Sequence, residues 1–254
     1  MFTAKDLCSG YGKRIILKHI SLTQQEGRLI SLIGPNGSGK TTLLRVLAGL
    51  QGYSGNVMLY GHEVRNISRK KFARSVGFVM SGRSFAPSYP FSVREIIAMG
   101  RMPFTGIFSR LTPKDYAIIE HSADMAGVTH LLGRNIMTLS DGEKQLVLLA
   151  SGLAQDTGIL LLDEPTSSLD PDKSAKVFAL LRRLADEGKS IIAAVHDINI
   201  SLAYSDGYIA LRDGVLISHG HKVSGKVLMD LYGTGFIPYS SNERNDLMWR
   251  ALPE

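Results

Sequence analysis

Short apolar runs bounded by turn residues set the plan of the chain. Leu29-Ile30-Ser31-Leu32-Ile33 is apolar on both faces and too short for a helix. Gly158 to Glu164 and Ser190 to His196 repeat the pattern, the first ending in two carboxylates and the second in His196. Such runs predict strands buried on both sides, as in a parallel sheet. Helical spacing alternates with them. Leu43 to Leu50 carries apolar residues on one helical face and meets Gly49 near its stop. Pro171 to Gly188 reads as an amphipathic helix closed by Gly188. The alternation predicts an α/β protein with a mostly parallel sheet.

The first residues have a different rhythm. Phe2 to Ile20 reads as strand, turn, strand, with Ser9-Gly10-Tyr11-Gly12 as the turn and Tyr11 exposed. Gly55 to Gly61 predicts a second hairpin, and Val76-Gly77-Phe78-Val79 a short strand. Ile209 to Leu216 predicts a late hairpin turning at Asp213-Gly214. From about Phe85 to Leu153 the pattern becomes helical, punctuated by Pro87, Pro90, Pro103 and Pro113. Ser92 with Glu95 has capping-box spacing, and Thr112-Pro113 places a cap before proline at the first helical position. This stretch predicts a helical insert, with Ile96 and Ile97 in its core. After Gly225 a short helix, Val227 to Leu231, leads into a polar tail, and 236–254 carries no functional signal.

Composition narrows the setting. The 254 residues are 44% hydrophobic and 20% charged, enough for one large α/β domain with a subdomain. Cys8 is the single cysteine, so no disulfide forms within the chain. No apolar run reaches the roughly 18 residues of a membrane span, and no basic-then-apolar leader opens the sequence. The expectation is an intracellular protein that meets membranes through a partner. The net charge of +6 is scattered, apart from Arg69-Lys70-Lys71, which favours a solvated surface over a nucleic-acid groove.

The chemistry centres on Gly34-Pro35-Asn36-Gly37-Ser38-Gly39-Lys40-Thr41-Thr42, which lies between a predicted strand and a predicted helix. That context makes a Gly-rich loop a phosphate cradle: backbone N–H groups and the helix N-terminus face the anion. Lys40 reaches the β- and γ-phosphates and the Thr41 hydroxyl ligates Mg²⁺. In open parallel sheets ligands bind at the carboxyl ends of strands. Asp163-Glu164 and His196 fall at two further such ends. Asp163 is the candidate for holding Mg²⁺, Glu164 for orienting or deprotonating the attacking water, and His196 for contacting the γ-phosphate.

From Phe2 to Ser224 the chain resembles the ATP-binding subunit of an ABC transporter. Tyr11 resembles the adenine-stacking tyrosine, Leu139-Ser140-Asp141-Gly142-Glu143-Lys144-Gln145 the signature segment, and Ser167-Ser168-Leu169-Asp170 the D-loop. The resemblance implies ATP and Mg²⁺ as ligands. It implies a homodimer or paired homologue in which each ATP lies between one P-loop and the other signature, contacted by Ser140, Gly142 and Asp170. It also implies a RecA-like P-loop core over 1–84 and 155–225, bearing an N-terminal antiparallel β subdomain. A helical subdomain over 85–154 and an extension over 226–254 complete the expected division.

Three positions depart from the family pattern. Ser81 stands where the Q-loop glutamine is usual, at the metal. Asp141 replaces a glycine and Glu143 a glutamine. Ser140 and Glu143 keep capping-box spacing, so Asp141 is expected to point away from nucleotide while Ser140 and Gly142 make the contact.

Val93 to Phe104 and His196-Asp197-Ile198-Asn199 resemble cassettes serving importers of iron–siderophore complexes, haem and cobalamin. That branch implies a permease partner at the cytoplasmic face of the membrane, a substrate-binding protein acting indirectly, and no nucleic acid. The permease is expected to meet 81–108, where Phe85, Tyr89, Phe91, Met99, Met102, Phe104, Ile107 and Phe108 cluster. A nucleic-acid ABC ATPase, with its two cassettes or coiled-coil arms, and a non-hydrolysing nucleotide-binding regulator are the alternatives at this stage.

Overall fold

The computed structural model describes residues 2–82, 85, 89–106, 110–240 and 247–252. Two sheets form its framework. The first is antiparallel, built from β1 (Phe2–Tyr11), β2 (Arg14–Gln24), β4 (Tyr53–Leu59) and β5 (His62–Glu63) in the order β2-β1-β4-β5. The second contains β3 (Leu29–Ile33), β6 (Val76–Val79), β7 (Ile159–Asp163), β8 (Ser190–Ala194), β9 (Gly207–Arg212) and β10 (Val215–Gly220). Its order is β10-β9-β3-β8-β7-β6, and every pair except β9–β10 is parallel.

Strands β7 and β8 are buried at every position, as their unbroken apolar runs require. Helix α1 (Lys40–Leu47) is packed between the two sheets, with Leu43, Leu44, Val46 and Leu47 buried against Leu17, Val57, Leu161 and Ile192. Helix α2 (Arg69–Ala73) lies at the edge beside β6. The insert consists of α3 (Val93–Met99), α4 (Met102–Thr105), α5 (Pro113–Met125) and α6 (Asp141–Ala154). Val93, Ile96 and Ile97 of α3 and Ile119 and Ala123 of α5 bury themselves against Val147 and Leu149 of α6. Helices α7 (Pro171–Asp186) and α8 (Ile198–Tyr204) cover the opposite face of the sheet beside β3 and β8. The chain ends in α9 (Gly225–Tyr232) and an antiparallel hairpin of β11 (Phe236–Ser240) and β12 (Leu247–Ala251).

Local signals account for the element ends. Ser92, Thr112 and Ser140 each form a complete capping box with the acid three residues on. Three expectations change. The β1–β2 turn falls at Gly12-Lys13, because Ser9, Gly10 and Tyr11 are strand residues paired with Leu17, Ile15 and Arg14. Gly10 answers a close cross-strand approach: a Cβ there would stand 2.0 Å from the Arg14 carbonyl oxygen. The hairpin expected over 55–61 forms with wider bounds: β4 pairs along β1, turns at Tyr60-Gly61 and pairs with the short β5. Strand β8 stops at Ala194, which leaves His196 on the loop beyond it. Among the described residues no helix is long and apolar enough to cross a membrane.

Candidate functional site

The glycine-rich loop runs from β3 into α1. Gly34 has a φ of 150°, and a Cβ there would lie 2.1 Å from the Leu211 carbonyl oxygen, so β9 leaves room for glycine alone. Helices α3, α5, α6, α7, α8 and α9 begin with side-chain caps, whereas α1 begins at Gly39 with none. Its first N–H groups are left for an anion. Ser38 Oγ is buried in the same loop with no hydrogen-bond partner among the described residues. Asn36 and Gly37 form the exposed lip, and Thr42 is buried beneath. Lys40 Nζ donates to the carbonyls of Gly34 (2.7 Å) and Pro35 (3.1 Å), folded back over its own loop. Burial lowers the Lys40 pKa, and the nearby carboxylates of Glu164 and Asp163 oppose that.

Beside the loop, Thr41 Oγ1 donates to Asp163 Oδ1 at 2.9 Å. Burial pushes the Asp163 carboxyl upward and the Glu164 charge adds to the rise, while the Thr41 bond restrains it. Glu164 follows with a φ of 53°, uncommon for a side chain of its size. Its N–H donates to the Ala194 carbonyl at 3.0 Å, tying the turn after β7 to β8. His196 Nε2 and Glu164 Oε1 are 2.6 Å apart. A cavity of about 220 Å³ adjoins this pair, lined by Ser167, Leu169, Val195 and Asp197 among others. The strand ends thus gather a lysine, a hydroxyl, two carboxylates and an imidazole beside the glycine-rich loop.

The family model for the ABC transporter matches residues 17–167. The chain belongs to that family. It is 33% identical over 234 residues to the ferric enterobactin transport ATP-binding protein of Escherichia coli, covering 90% of this chain and 86% of that protein. It is 34% identical over 220 residues to the iron(3+)-hydroxamate import ATP-binding protein of Bacillus subtilis, covering 86% and 81%. With the hemin import ATP-binding protein of Nocardia farcinica it shares 38% over 216 residues, covering 84% and 72%. Among solved structures, an inward-facing metal-chelate type ABC transporter matches all of this chain and 97% of its own, at 25% identity and a TM-score of 0.83. A dimeric cassette in a post-hydrolysis state bound to ADP and Pi matches 88% of this chain and 100% of its own, at 25% identity and a TM-score of 0.76. The protein is accordingly an ATP-binding cassette with ATPase activity.

In the cassette the remaining candidates form a second group. Ser140 Oγ and its N–H both bond the Glu143 carboxylate, so these side chains build the cap of α6. Asp141 is exposed and lies 3.4 Å from Lys144 Nζ. Asp170 caps α7 by accepting from the Lys173 N–H at 2.8 Å. A Cβ on Gly142 would stand 3.0 Å from the Ser168 carbonyl oxygen, so signature and D-loop touch within one chain. Among the described residues no hydrogen bond links Ser140, Gly142 or Asp170 to the P-loop. Tyr11 is exposed, with its hydroxyl 3.4 Å from Arg45 Nη1 of α1.

Ser81 leaves the sheet beside Asp163-Glu164, since β6 and β7 pair Val79 with Leu162. It is buried, and its hydroxyl has no partner among the described residues. The next N–H, of Gly82, donates to Gln145 Oε1 at 2.5 Å. Gln145 is fully buried and joins the loop after β6 to the signature helix. The sequence reading missed this role, although Gln145 closes the signature segment.

The cassette residues fit a nucleoside triphosphate with a divalent cation. Ser38 Oγ is an orphan in the cradle, and no cluster of three or more His, Cys, Asp or Glu among the described residues could hold a cation alone. A site of one hydroxyl and one carboxylate suits an ion that completes its shell with phosphate oxygens and water.

Proposed function

We propose that this cassette energises import of a metal chelate, an iron–siderophore complex, haem or cobalamin, through a multi-span permease at the cytoplasmic face of a membrane. The observation that carries the catalytic part is the run of contacts Thr41–Asp163 and Glu164–His196 beside an uncapped α1. The substrate class rests on the relatives that serve iron and hemin import.

In this reading the phosphates enter the loop and Lys40 exchanges its two carbonyl partners for β- and γ-phosphate oxygens. Thr41 and Asp163 would hold Mg²⁺, which when bound would supply positive charge against the phosphate oxygens. Glu164 takes a proton from the water that attacks the γ-phosphorus, as the bond to the ADP oxygen breaks. His196 holds Glu164 and faces the departing phosphate. Tyr11 stacks on the adenine. Ser140, Gly142 and Asp170 serve the ATP of a second copy, which agrees with their separation from the P-loop in one chain. Ser81 contacts the cation or the water through its free hydroxyl.

The permease surface follows from exposed apolar groups near the loop after β6. Tyr89 and Met102 are exposed, while Phe85, Phe91, Met99 and Phe104 are half-buried. Pro87, Ile107 and Phe108 lie outside the described residues. Helix α2, which touches α4, borders a groove of about 840 Å³ lined by Leu50, Arg69, Phe72 and Phe78. An amphipathic permease helix suits it.

Purification of the tagged cassette from detergent-solubilised membranes tests the proposal. The expected companion is a multi-span permease that raises ATP turnover in vesicles. Recovery of nucleic acid instead, released steeply by salt, would overturn it.

A further inference from the structure

The C-terminal hairpin reaches back to the helix that follows His196. Asn199 of α8 uses both ends of its amide on one residue: Oδ1 accepts the Trp249 N–H at 2.8 Å, and Nδ2 donates to the Trp249 carbonyl at 3.0 Å. The side chain thereby acts as a strand neighbour to β12. We infer that Asn199 is a positioning residue, which clasps the C-terminal hairpin to α8 and so fixes His196 against Glu164.

Helix α8 has seven residues, too few to be stable without tertiary support. Its far end is held by Arg182, whose Nη1 donates to the Tyr204 carbonyl at 3.4 Å, and by Tyr204 stacked on Phe178. Its near end, beside His196, has the Asp197 cap on Ile200 and the Asn199–Trp249 clasp. The cap is internal to the turn and fixes no position relative to the rest of the fold. The clasp does, because Trp249 is itself anchored. Trp249, like Phe236, Ile198 and Ile200, packs partly buried against the main core. A Cβ on Gly225 would stand 3.1 Å from the ring, so the start of α9 is shaped to receive it. A two-stranded hairpin is marginal alone and must borrow stability from such contacts. Helix α9 also reaches the other side of the site, where Tyr232 lies beside the Gly34 backbone. One terminal unit therefore touches the P-loop and the histidine loop together.

This inference rests on the roles proposed for Glu164 and His196. Trp249 is the only tryptophan in the chain, so its emission reports the clasp directly. Full-length Asn199→Ala, Gly225→Val and His196→Ala are compared with the wild type for emission, kcat and KM for ATP. Asn199→Ala and Gly225→Val should both shift emission to longer wavelength and lower kcat by about tenfold, a misplacement effect. KM for ATP should stay within about twofold, because Asn199 and Gly225 contact Trp249 and Phe236 rather than the P-loop itself. Gly225→Val carries the test alone if Asn199→Ala does not fold. Exposed Trp249 with unchanged kcat overturns the inference while leaving His196 in its role. Unchanged emission in both variants overturns the clasp. Wild-type turnover in His196→Ala overturns the role of His196 and the inference with it.

Discussion

Glu164 Oε1 and His196 Nε2 face each other across 2.6 Å, one from the turn after β7 and one from the loop after β8. Parallel pairing of these strands, with Asp163 opposite Ala194, brings the two residues together from 32 positions apart. The pair joins the candidate base to the group that faces the departing phosphate. His196→Ala should therefore lower kcat by about 10²-fold, the scale of a lost general acid–base partner. ATP affinity should stay near the wild type, since Lys40 and Thr41 are unchanged. Phosphate release and equilibrium nucleotide binding check the two halves.

Asp163 pairs function with instability. Burial raises its pKa, so its charged form costs stability at neutral pH, and that cost fades as pH falls through the raised value. Asp163→Asn keeps an acceptor for the Thr41 hydroxyl and removes the charge. The nucleotide-free variant should be more stable at neutral pH by on the order of 1 kcal/mol. The gain should shrink toward acid. Thermal stabilisation by ATP with Mg²⁺ should vanish. Melting curves across pH, with and without ligand, measure all three.

Arg101 and Asp115 form an ion pair inside the insert, with Nε and Oδ1 3.0 Å apart and both side chains nearly inaccessible. Arg101 Nη1 also donates to the Ala154 carbonyl at 2.8 Å. Hydrogen bonds from Thr112, then the Arg101 guanidinium, hold the Asp115 carboxyl below its ordinary range. Its contribution is thus full above the ordinary carboxylate pKa and lost as pH falls through the depressed value. Asp115→Ala should cost about 3–5 kcal/mol by leaving a buried charge alone. Denaturant unfolding at neutral pH reads this.

Phe104 is held between guanidiniums, 4.4 Å from Arg101 and 5.2 Å from Arg74, so its truncation would disturb the joint between α2 and the insert. Met102 is exposed and has no such duty. Met102→Ala should leave the melting temperature and isolated ATPase rate unchanged while lowering transport in permease vesicles. Unchanged transport would move the coupling surface elsewhere.

Ser81→Ala tests the departure at the Q-loop position. Removing a buried, unpartnered hydroxyl should stabilise the nucleotide-free protein by about 1 kcal/mol. If that hydroxyl serves the cation or the water, kcat falls in the same variant. A stabilised variant with wild-type kcat would assign Ser81 to packing alone.

The parts legible in the sequence are local. The Gly-rich loop, the carboxylates after β7 and the capping boxes at Ser92, Thr112 and Ser140 each depend on neighbours within a few positions. Gly10 was misread as a turn residue because its reason lies across the ladder, at the Arg14 carbonyl. The Gly82–Gln145 bond spans 63 positions and the Asn199–Trp249 clasp spans 50. No spacing rule encodes such contacts. The pairing of β11 with β12 gave no signal because its stability comes from Trp249, α8 and α9 rather than from its own pattern.

Two copies should close on ATP when hydrolysis is blocked at Glu164. Glu164→Gln keeps the shape of the residue and removes the base, while Lys40, Thr41 and Asp163 stay in place. Light scattering in saturating ATP and Mg²⁺ measures the outcome in one experiment. The predicted result is a mass of two chains with ATP, one chain without it, and no phosphate release. A mass of one chain under saturating ATP, or continued phosphate release, would contradict the account.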